Sequence, residues 1–226
     1  MTKISILIAD DHELVRRGIR SLLEEEDGWV VTAEAENGRQ AVEMALAGKP
    51  DVIVLDLGMP DLNGLEATRQ ILQKQPDARV LVLTVYEAEH VVQEVLEAGA
   101  KGYLLKSDAG RELTQAIKAL LAGKPYFTTK VARMVLGGYL ERKSSPRGSR
   151  PPLTALTARE REIAQLLAEG LSTKEIAARL GLSAATATTH RTNIMQKLNL
   201  HSVAELVLYC VRNGIVMTGE SGIGKT

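Results

Sequence analysis

The sequence predicts an α/β, doubly wound parallel sheet followed by a small all-α domain built around a helix-turn-helix. Three observations carry that expectation. Short apolar runs alternate with helical stretches through the first half of the chain. Several of those runs end on a charged or hydroxylic residue, as they do where an open parallel sheet gathers its functional groups. Beyond a polar stretch without apolar period, the pattern changes to short helices with plain N-terminal caps. A length of 226 residues suits two such domains, each with its own core.

The strand runs, taken in order, are Ile4-Ser5-Ile6-Leu7-Ile8-Ala9, Val52-Ile53-Val54-Leu55, Val80-Leu81-Val82-Leu83 and Gly102-Tyr103-Leu104-Leu105. Each is short and rich in β-branched residues or leucine, so each reads as a strand buried on both faces. They run into Asp10-Asp11, Asp56, Thr84 and Lys106 respectively. Asp56 says most, because a carboxylate closing a buried strand is costly without partners. Any one of these residues alone would pass for a helix cap or turn former. Their joint appearance at successive strand ends points to a site. Helical stretches between and after the strands include residues 14–23, 88–98 and 109–122.

Charge is balanced overall, with 28 basic and 28 acidic residues, but unevenly along the chain. Up to Leu140 there are 21 acids against 16 bases; from Glu141 onward there are 7 against 12. The first part suits a bound cation and the second a polyanion. The single cysteine, Cys210, sits among apolar neighbours and reads as a buried thiol of an intracellular protein. No charged-then-apolar leader opens the chain, and no apolar run approaches the roughly 20 residues of a membrane span. A cytoplasmic protein without a membrane partner is expected. His12, His90, His190 and His201 lack paired spacing, so none is read as a metal ligand.

Asp10, Asp11 and Asp56 would repel one another if they converged without a cation. Mg²⁺ is the natural counter-ion, because it takes oxygen ligands and keeps waters. Lys106 adds a second positive charge, and Thr84 offers a hydroxyl. The set describes a pocket for a phosphoryl group, with Asp56 as nucleophile and Mg²⁺ and Lys106 offsetting charge.

These residues closely resemble the receiver domain of bacterial two-component response regulators, in Asp10-Asp11, Leu55-Asp56-Leu57-Gly58-Met59-Pro60-Asp61-Leu62-Asn63-Gly64, Thr84 and Gly102-Tyr103-Leu104-Leu105-Lys106. The resemblance implies a five-stranded, flavodoxin-like sheet over residues 1–125. It implies that Asp56 takes phosphate from a sensor histidine kinase, that Asp11, Asp56 and the Gly58 carbonyl contact Mg²⁺, and that Asp10 acts on it through water. It also implies a switch in which Thr84 moves toward the phosphoryl group and Tyr103 turns inward behind it. Two departures stand out: Val85 where many receivers carry a smaller residue, which bears on phosphoryl lifetime, and Ser107 where many carry proline.

Residues 126–152 read as a connecting helix, from Thr129 to Glu141, and a flexible linker around Lys143-Ser144-Ser145-Pro146-Arg147-Gly148-Ser149-Arg150-Pro151-Pro152. Residues 153–216 then carry three capping-box patterns, beginning at Thr157, Ser172 and Ser202, with a fourth N-cap at Ser183 after Gly181-Leu182. Residues 172–198 read as helix, tight turn, helix. The later helix turns Ala187, Ile194 and Leu198 inward and Ala185, Thr188, Thr189, Thr192 and Gln196 outward. Laid in a major groove, it would present small polar groups to base edges, with Arg191 and Lys197 near phosphates and Lys174 at the preceding helix N-terminus.

Leu156-Thr157-Ala158-Arg159-Glu160, Gly170-Leu171-Ser172-Thr173-Lys174-Glu175-Ile176-Ala177 and the stretch His190 to Leu198 resemble the LuxR-type DNA-binding domain. Together with the receiver, this resembles the NarL/FixJ class. It implies double-stranded promoter DNA as partner, a homodimer on activation, half-sites about 10 base pairs apart, and no enzyme activity beyond the receiver's own phosphoryl transfer and loss. Ala187 and Thr188 depart from a usual Val and a frequent long polar residue, so discrimination per base is expected to be modest. Two other readings are a receiver acting through a protein partner without phosphate, and an aspartyl-phosphate phosphohydrolase; the latter generally needs a second acid where Gly58 stands. Gly219-Glu220-Ser221-Gly222-Ile223-Gly224-Lys225-Thr226 fits the phosphate-loop pattern but has no helix after it, and residues 217–226 are read as a disordered tail.

Overall fold

The computed structural model describes residues 3–133 and 156–216. The chain divides into two compact units, Met1–Pro146 and Arg147–Thr226. In the first, the apolar runs form β1 (Ile4–Ala9), β2 (Trp29–Ala35), β3 (Val52–Leu55), β4 (Val80–Thr84) and β5 (Gly102–Leu105). Helices α1 (Glu13–Glu24), α2 (Gly38–Gly48), α3 (Gly64–Lys74), α4 (Glu89–Glu97) and α5 (Ala109–Leu121) alternate with them. All strand pairings are parallel, and the order across the sheet is β2-β1-β3-β4-β5-β6.

The sixth strand, β6 (Tyr126–Phe127), corrects the expected count of five and lies past residue 125. Two residues leave no period to read in sequence. It forms because the Tyr126 amide donates to the Lys101 carbonyl at 3.0 Å, which sets Tyr126 and Phe127 beside Gly102 and Tyr103. The chain then turns at Thr128, which receives the Val131 amide on its hydroxyl and the Ala132 amide on its carbonyl. Residues 129–133 are helical. The rest of the expected connecting helix to Glu141, the linker at 143–152 and the phosphate-loop-like tail at 219–226 lie outside the described residues.

Alternate residues of the parallel strands point to opposite faces. On one face Ile6, Ile8, Val52, Val54, Leu81, Leu83 and Leu104 join Ile19, Leu23, Leu113, Ala116, Ile117 and Leu120 of α1 and α5 in one core. Residues of the other parity, Leu7, Ile53, Leu55 and Val82, are buried as well, so both faces are covered. The strand order reverses between β1 and β3, which opens a crevice at their carboxyl ends. The loop after β3 is packed tightly into it. Asn63 caps α3 by accepting the Glu66 amide, and the Gly64 amide donates to the Leu57 carbonyl. A Cβ on Gly64 would stand 1.9 Å from the Asp56 carbonyl oxygen, so this position must be glycine for the loop to return under Asp56.

The second unit contains α6 (Ala158–Ala168), α7 (Thr173–Leu180), α8 (Ala184–Leu198) and α9 (Val203–Arg212) around Ile163, Leu166, Ile176, Ala187, Ile194, Leu206 and Cys210. Burial pushes the Cys210 thiol up to about 12, so it is a packed and unreactive group. Reciprocal capping boxes form at Thr157/Glu160 and Ser172/Glu175, and Ser183 caps α8 by accepting the Thr186 amide. The third expected box does not close. Ser202 accepts the Glu205 amide, but the Glu205 carboxylate takes the His201 amide instead of that of Ser202. Ser202 is more extended, at φ −144 against −66 and −71 for the other two caps, which brings the amide one residue earlier to the carboxylate. Gly181, at φ 63 and ψ 35, makes the left-handed turn between α7 and α8.

Gly64→Ala is expected to lower stability by about 3 kcal/mol, read as a fall in the urea midpoint. Gly18→Ala, on an exposed α1 position with nothing within 4 Å of the new Cβ, should instead raise it by up to about 1 kcal/mol.

Candidate functional site

The crevice gathers the expected residues from three strand ends. Lys106 Nζ lies 2.7 Å from Asp10 Oδ2 and 2.8 Å from Asp56 Oδ2, bridging β1 and β3 from the end of β5. The second Asp56 oxygen accepts the Leu57 amide at 2.8 Å, and Asp10 Oδ1 accepts the His12 amide at 2.9 Å. Asp10 and Asp56 are buried, while Asp11 stands at the exposed rim. His12, which its isolated spacing did not mark, places Nδ1 2.8 Å from the Asp11 carboxylate and joins Asp10 and Asp11 in one cluster.

Arg16 is a second residue that sequence reading missed. Its buried guanidinium donates to the Asp10 carbonyl at 2.7 Å and to Glu36 at 2.9 Å, and lies 3.4 Å from Glu34. It thereby fixes the backbone that carries the acid pair. Its signal was an arginine at the buried position of an otherwise apolar helical face.

Burial raises the Asp56 carboxyl above its ordinary range; Lys106 opposes that shift and Asp10 reinforces it. Burial works to lower the Lys106 ammonium, but Asp56 and Asp10 hold it above its ordinary value. Lys106 therefore stays charged.

Thr84 is buried, and its hydroxyl accepts the Tyr86 amide at 3.4 Å. Tyr103 lies fully inside, with its hydroxyl donating to the Tyr86 carbonyl at 2.7 Å. Tyr86, absent from the sequence prediction, thus joins Thr84 to Tyr103 through its own peptide groups. Its ring reaches toward Gly58, where a Cβ would stand 3.2 Å from the Tyr86 hydroxyl and 3.7 Å from Asp56 Oδ2. Burial, then Asp56 and Asp11, pushes the Tyr86 hydroxyl up to about 12. Burial, then Asp56 and Glu87, also raises Tyr103. Both remain neutral donors at physiological pH.

In the second unit, Ala185, Thr188, Thr189, Arg191, Thr192 and Gln196 are exposed on α8, and Lys174 is exposed on α7. Each threonine hydroxyl donates to a carbonyl four residues earlier: Thr188 to Ala184 at 2.9 Å, Thr189 to Ala185 at 3.0 Å and Thr192 to Thr188 at 3.1 Å. Lys197 stands apart from this set. Its ammonium lies 2.7 and 2.8 Å from the two oxygens of Glu160 and ties α8 to α6. Burial works to raise the Glu160 carboxyl, but Lys197 and the Thr157 amide and hydroxyl outweigh it and hold the carboxyl below the ordinary range. Among the described residues no helix is long and apolar enough to cross a membrane.

A parallel sheet with an acid–lysine crevice, followed by a helix-turn-helix, defines a signalling regulator. Comparison with known proteins agrees. Residues 6–118 match the response regulator receiver domain, and residues 154–210 match the bacterial regulatory proteins of the luxR family. The chain is 39% identical over 225 residues to the transcriptional regulatory protein DegU of Brevibacillus brevis, covering 95% of each protein. It is 36% identical over 212 residues to the response regulator UvrY of Escherichia coli O6:H1, covering 94% of this chain and 95% of that protein. A solved complex of the response regulator RcsB with DNA matches at 27% identity and a TM-score of 0.57, covering 94% of this chain and 99% of that one. The chain belongs to the two-component response regulators that join a receiver to a LuxR-type DNA-binding domain.

Replacing Lys106 with Met leaves two buried carboxylates facing each other, and is expected to cost about 3 kcal/mol at neutral pH without added metal. The sign of its pH dependence follows from Asp56. A carboxyl whose folded pKa is raised loses stability as pH rises through that value, so the deficit should narrow on acidification as Asp56 takes up its proton. Urea titrations at neutral and mildly acidic pH measure both.

Proposed function

We propose that this chain is a phosphorylation-controlled transcription regulator with Asp56 as the phosphoacceptor. The observation that carries the reading is the Lys106 bridge to Asp10 and Asp56, which leaves one Asp56 oxygen beside a fixed ammonium at the mouth of the crevice. In the proposed reaction a carboxylate oxygen of Asp56 attacks the phosphorus of a phosphohistidine on a sensor kinase. The P–N bond breaks, and the imidazole leaves with its electron pair. Lys106 offsets charge on the phosphoryl oxygens, and Thr84 donates to one of them.

Three carboxylates against one ammonium leave the pocket short of positive charge, which fits a hard divalent cation. Asp10, Asp11, Asp56 and the Gly58 carbonyl would hold Mg²⁺, with His12 adjoining Asp10 and Asp11. When bound, Mg²⁺ supplies further charge to balance the phosphoryl oxygens. Gly58 offers no second acid to activate water, which supports a signal carrier over a phosphohydrolase.

Turning the Thr84 hydroxyl toward a phosphoryl group would release the Tyr86 amide, and through the Tyr86 carbonyl disturb Tyr103. We assign that relay as the switch. Exposed Leu14, two residues after His12, and Val85, next to Thr84, offer apolar surface to the kinase. Lys174, Thr188, Thr189, Arg191 and Thr192 would meet promoter DNA. Lys197, paired with Glu160, would serve chiefly to set the angle of α8. A solved structure described as two RcsB dimers bound to two parallel DNAs supports a homodimer on DNA. A cytoplasmic location fits this role.

Acetyl phosphate with Mg²⁺ is expected to add one phosphoryl group to the protein and none to Asp56→Asn, as read by intact mass. It should also raise DNA affinity roughly 5- to 150-fold in the chain that keeps Asp56 and leave Asp56→Asn unchanged. DNA binding indifferent to both treatments would sink the proposal. Tyr86→Ala, which uncovers Asp56 beside Gly58, is expected to shorten the phosphoryl lifetime several-fold, measured as loss of the phosphorylated mass over time.

A further inference from the structure

We propose that Thr188, Thr189 and Thr192 make α8 a selector of A·T pairs in the major groove. The inference rests on the DNA-binding role proposed above and deepens it by naming the bases. Each of the three hydroxyls spends its single proton on a carbonyl of its own helix. A threonine so bound has only acceptor lone pairs left for a partner. The same bond fixes χ1, so each γ-methyl is held in one place on an exposed surface. Thr188 and Thr192 lie one turn apart, with Thr189 beside them and the Ala185 methyl extending the row. The face therefore offers fixed acceptors interleaved with fixed methyl groups.

Base edges differ in what they return. An A·T pair shows the adenine N6 amino donor and the thymine methyl, which meet an acceptor and a methyl respectively. Guanine shows only the acceptors N7 and O6, which these threonines cannot serve without giving up their helix bonds. Cytosine supplies a donor but no methyl. From Thr188 to Thr192 the helix advances about 6 Å, or roughly two base-pair steps. The threonines thus read about two adjacent A·T pairs, while Arg191, set between Thr189 and Thr192 on the same helix, is the side chain suited to a guanine beside them.

The test uses the full chain, treated with acetyl phosphate and Mg²⁺, to select sites from a random duplex pool at fixed salt. Adjacent A·T pairs should emerge at the positions whose preference changes when any of the three threonines is substituted. Replacing thymine by uracil there removes one methyl and should weaken binding roughly fourfold. Thr188→Ser, which keeps the acceptor and loses the methyl, should abolish that thymine–uracil difference at the pair whose preference depends on Thr188. Thr188→Val, which keeps the methyl and replaces the acceptor with a second methyl, should retain it while relaxing the choice of adenine. These positions are exposed, and unchanged thermal melting of each variant confirms the fold. Specific binding with guanine at the threonine-dependent positions and no uracil effect overturns the proposal and leaves the DNA-binding role standing. Binding with no sequence preference likewise overturns this proposal alone, whereas no DNA binding at all overturns both.

Discussion

The receiver depends on one ammonium group held between two buried carboxylates. Lys106 reaches from the end of β5 across the crevice to Asp56 on β3 and Asp10 on β1, so three strand ends are drawn to one point. A carboxylate pair in a buried setting is unstable alone, and the lysine makes the arrangement tolerable without neutralising it. The residual negative charge fits the cation and the phosphoryl chemistry proposed for the crevice. Arg16 reinforces the arrangement by gripping the Asp10 carbonyl, and the loop beneath Asp56 is pressed so close that it has no room for a side chain at Gly64.

The switch proposed between Thr84 and Tyr103 has a short physical route. Thr84 and Tyr103 make no direct hydrogen bond among those described; the peptide groups of Tyr86 stand between them, amide toward the threonine and carbonyl toward the tyrosine. In the proposed switch, a change in hydroxyl direction at the pocket would thereby become a change in what holds a large, fully buried ring. In the second unit rigidity serves a different end. Two closed capping boxes, the left-handed turn at Gly181 and the Glu160–Lys197 pair fix α8 against its neighbours, so its outer side chains are presented on a stable frame.

Much of this was legible in the chain because it depends on local pattern. Short buried runs ending in Asp10, Asp56, Thr84 and Lys106 announced a parallel sheet with its site at one edge, and hydroxyl–glutamate spacings announced the helix starts. The remainder depends on tertiary placement. Tyr86 follows no strand-end rule; its ring falls over Gly58 and its peptide groups stand between Thr84 and Tyr103 only through the fold. Arg16 and His12 look like ordinary helix-start residues until the fold brings them to Asp10 and Asp11. β6 is too short for periodicity, and the Ser202 cap has the right letters at the wrong backbone angle. Lys197 reads as a phosphate contact in the sequence, and nothing in its own helix reveals its pairing with Glu160, 37 residues earlier.

The threonines of α8 anchor their hydroxyls to their own helix and leave the packing of the unit to Ala187, Ile194 and the other core residues. The consequence is evolutionary. Letters on that outer face can be exchanged without disturbing the core, the caps or the receiver. If α8 reads DNA and Asp56 takes the phosphoryl group as proposed, a gene duplicate could therefore acquire new target promoters through a few surface substitutions while that switch continued to work unchanged. Divergence of regulons need not pass through unstable intermediates.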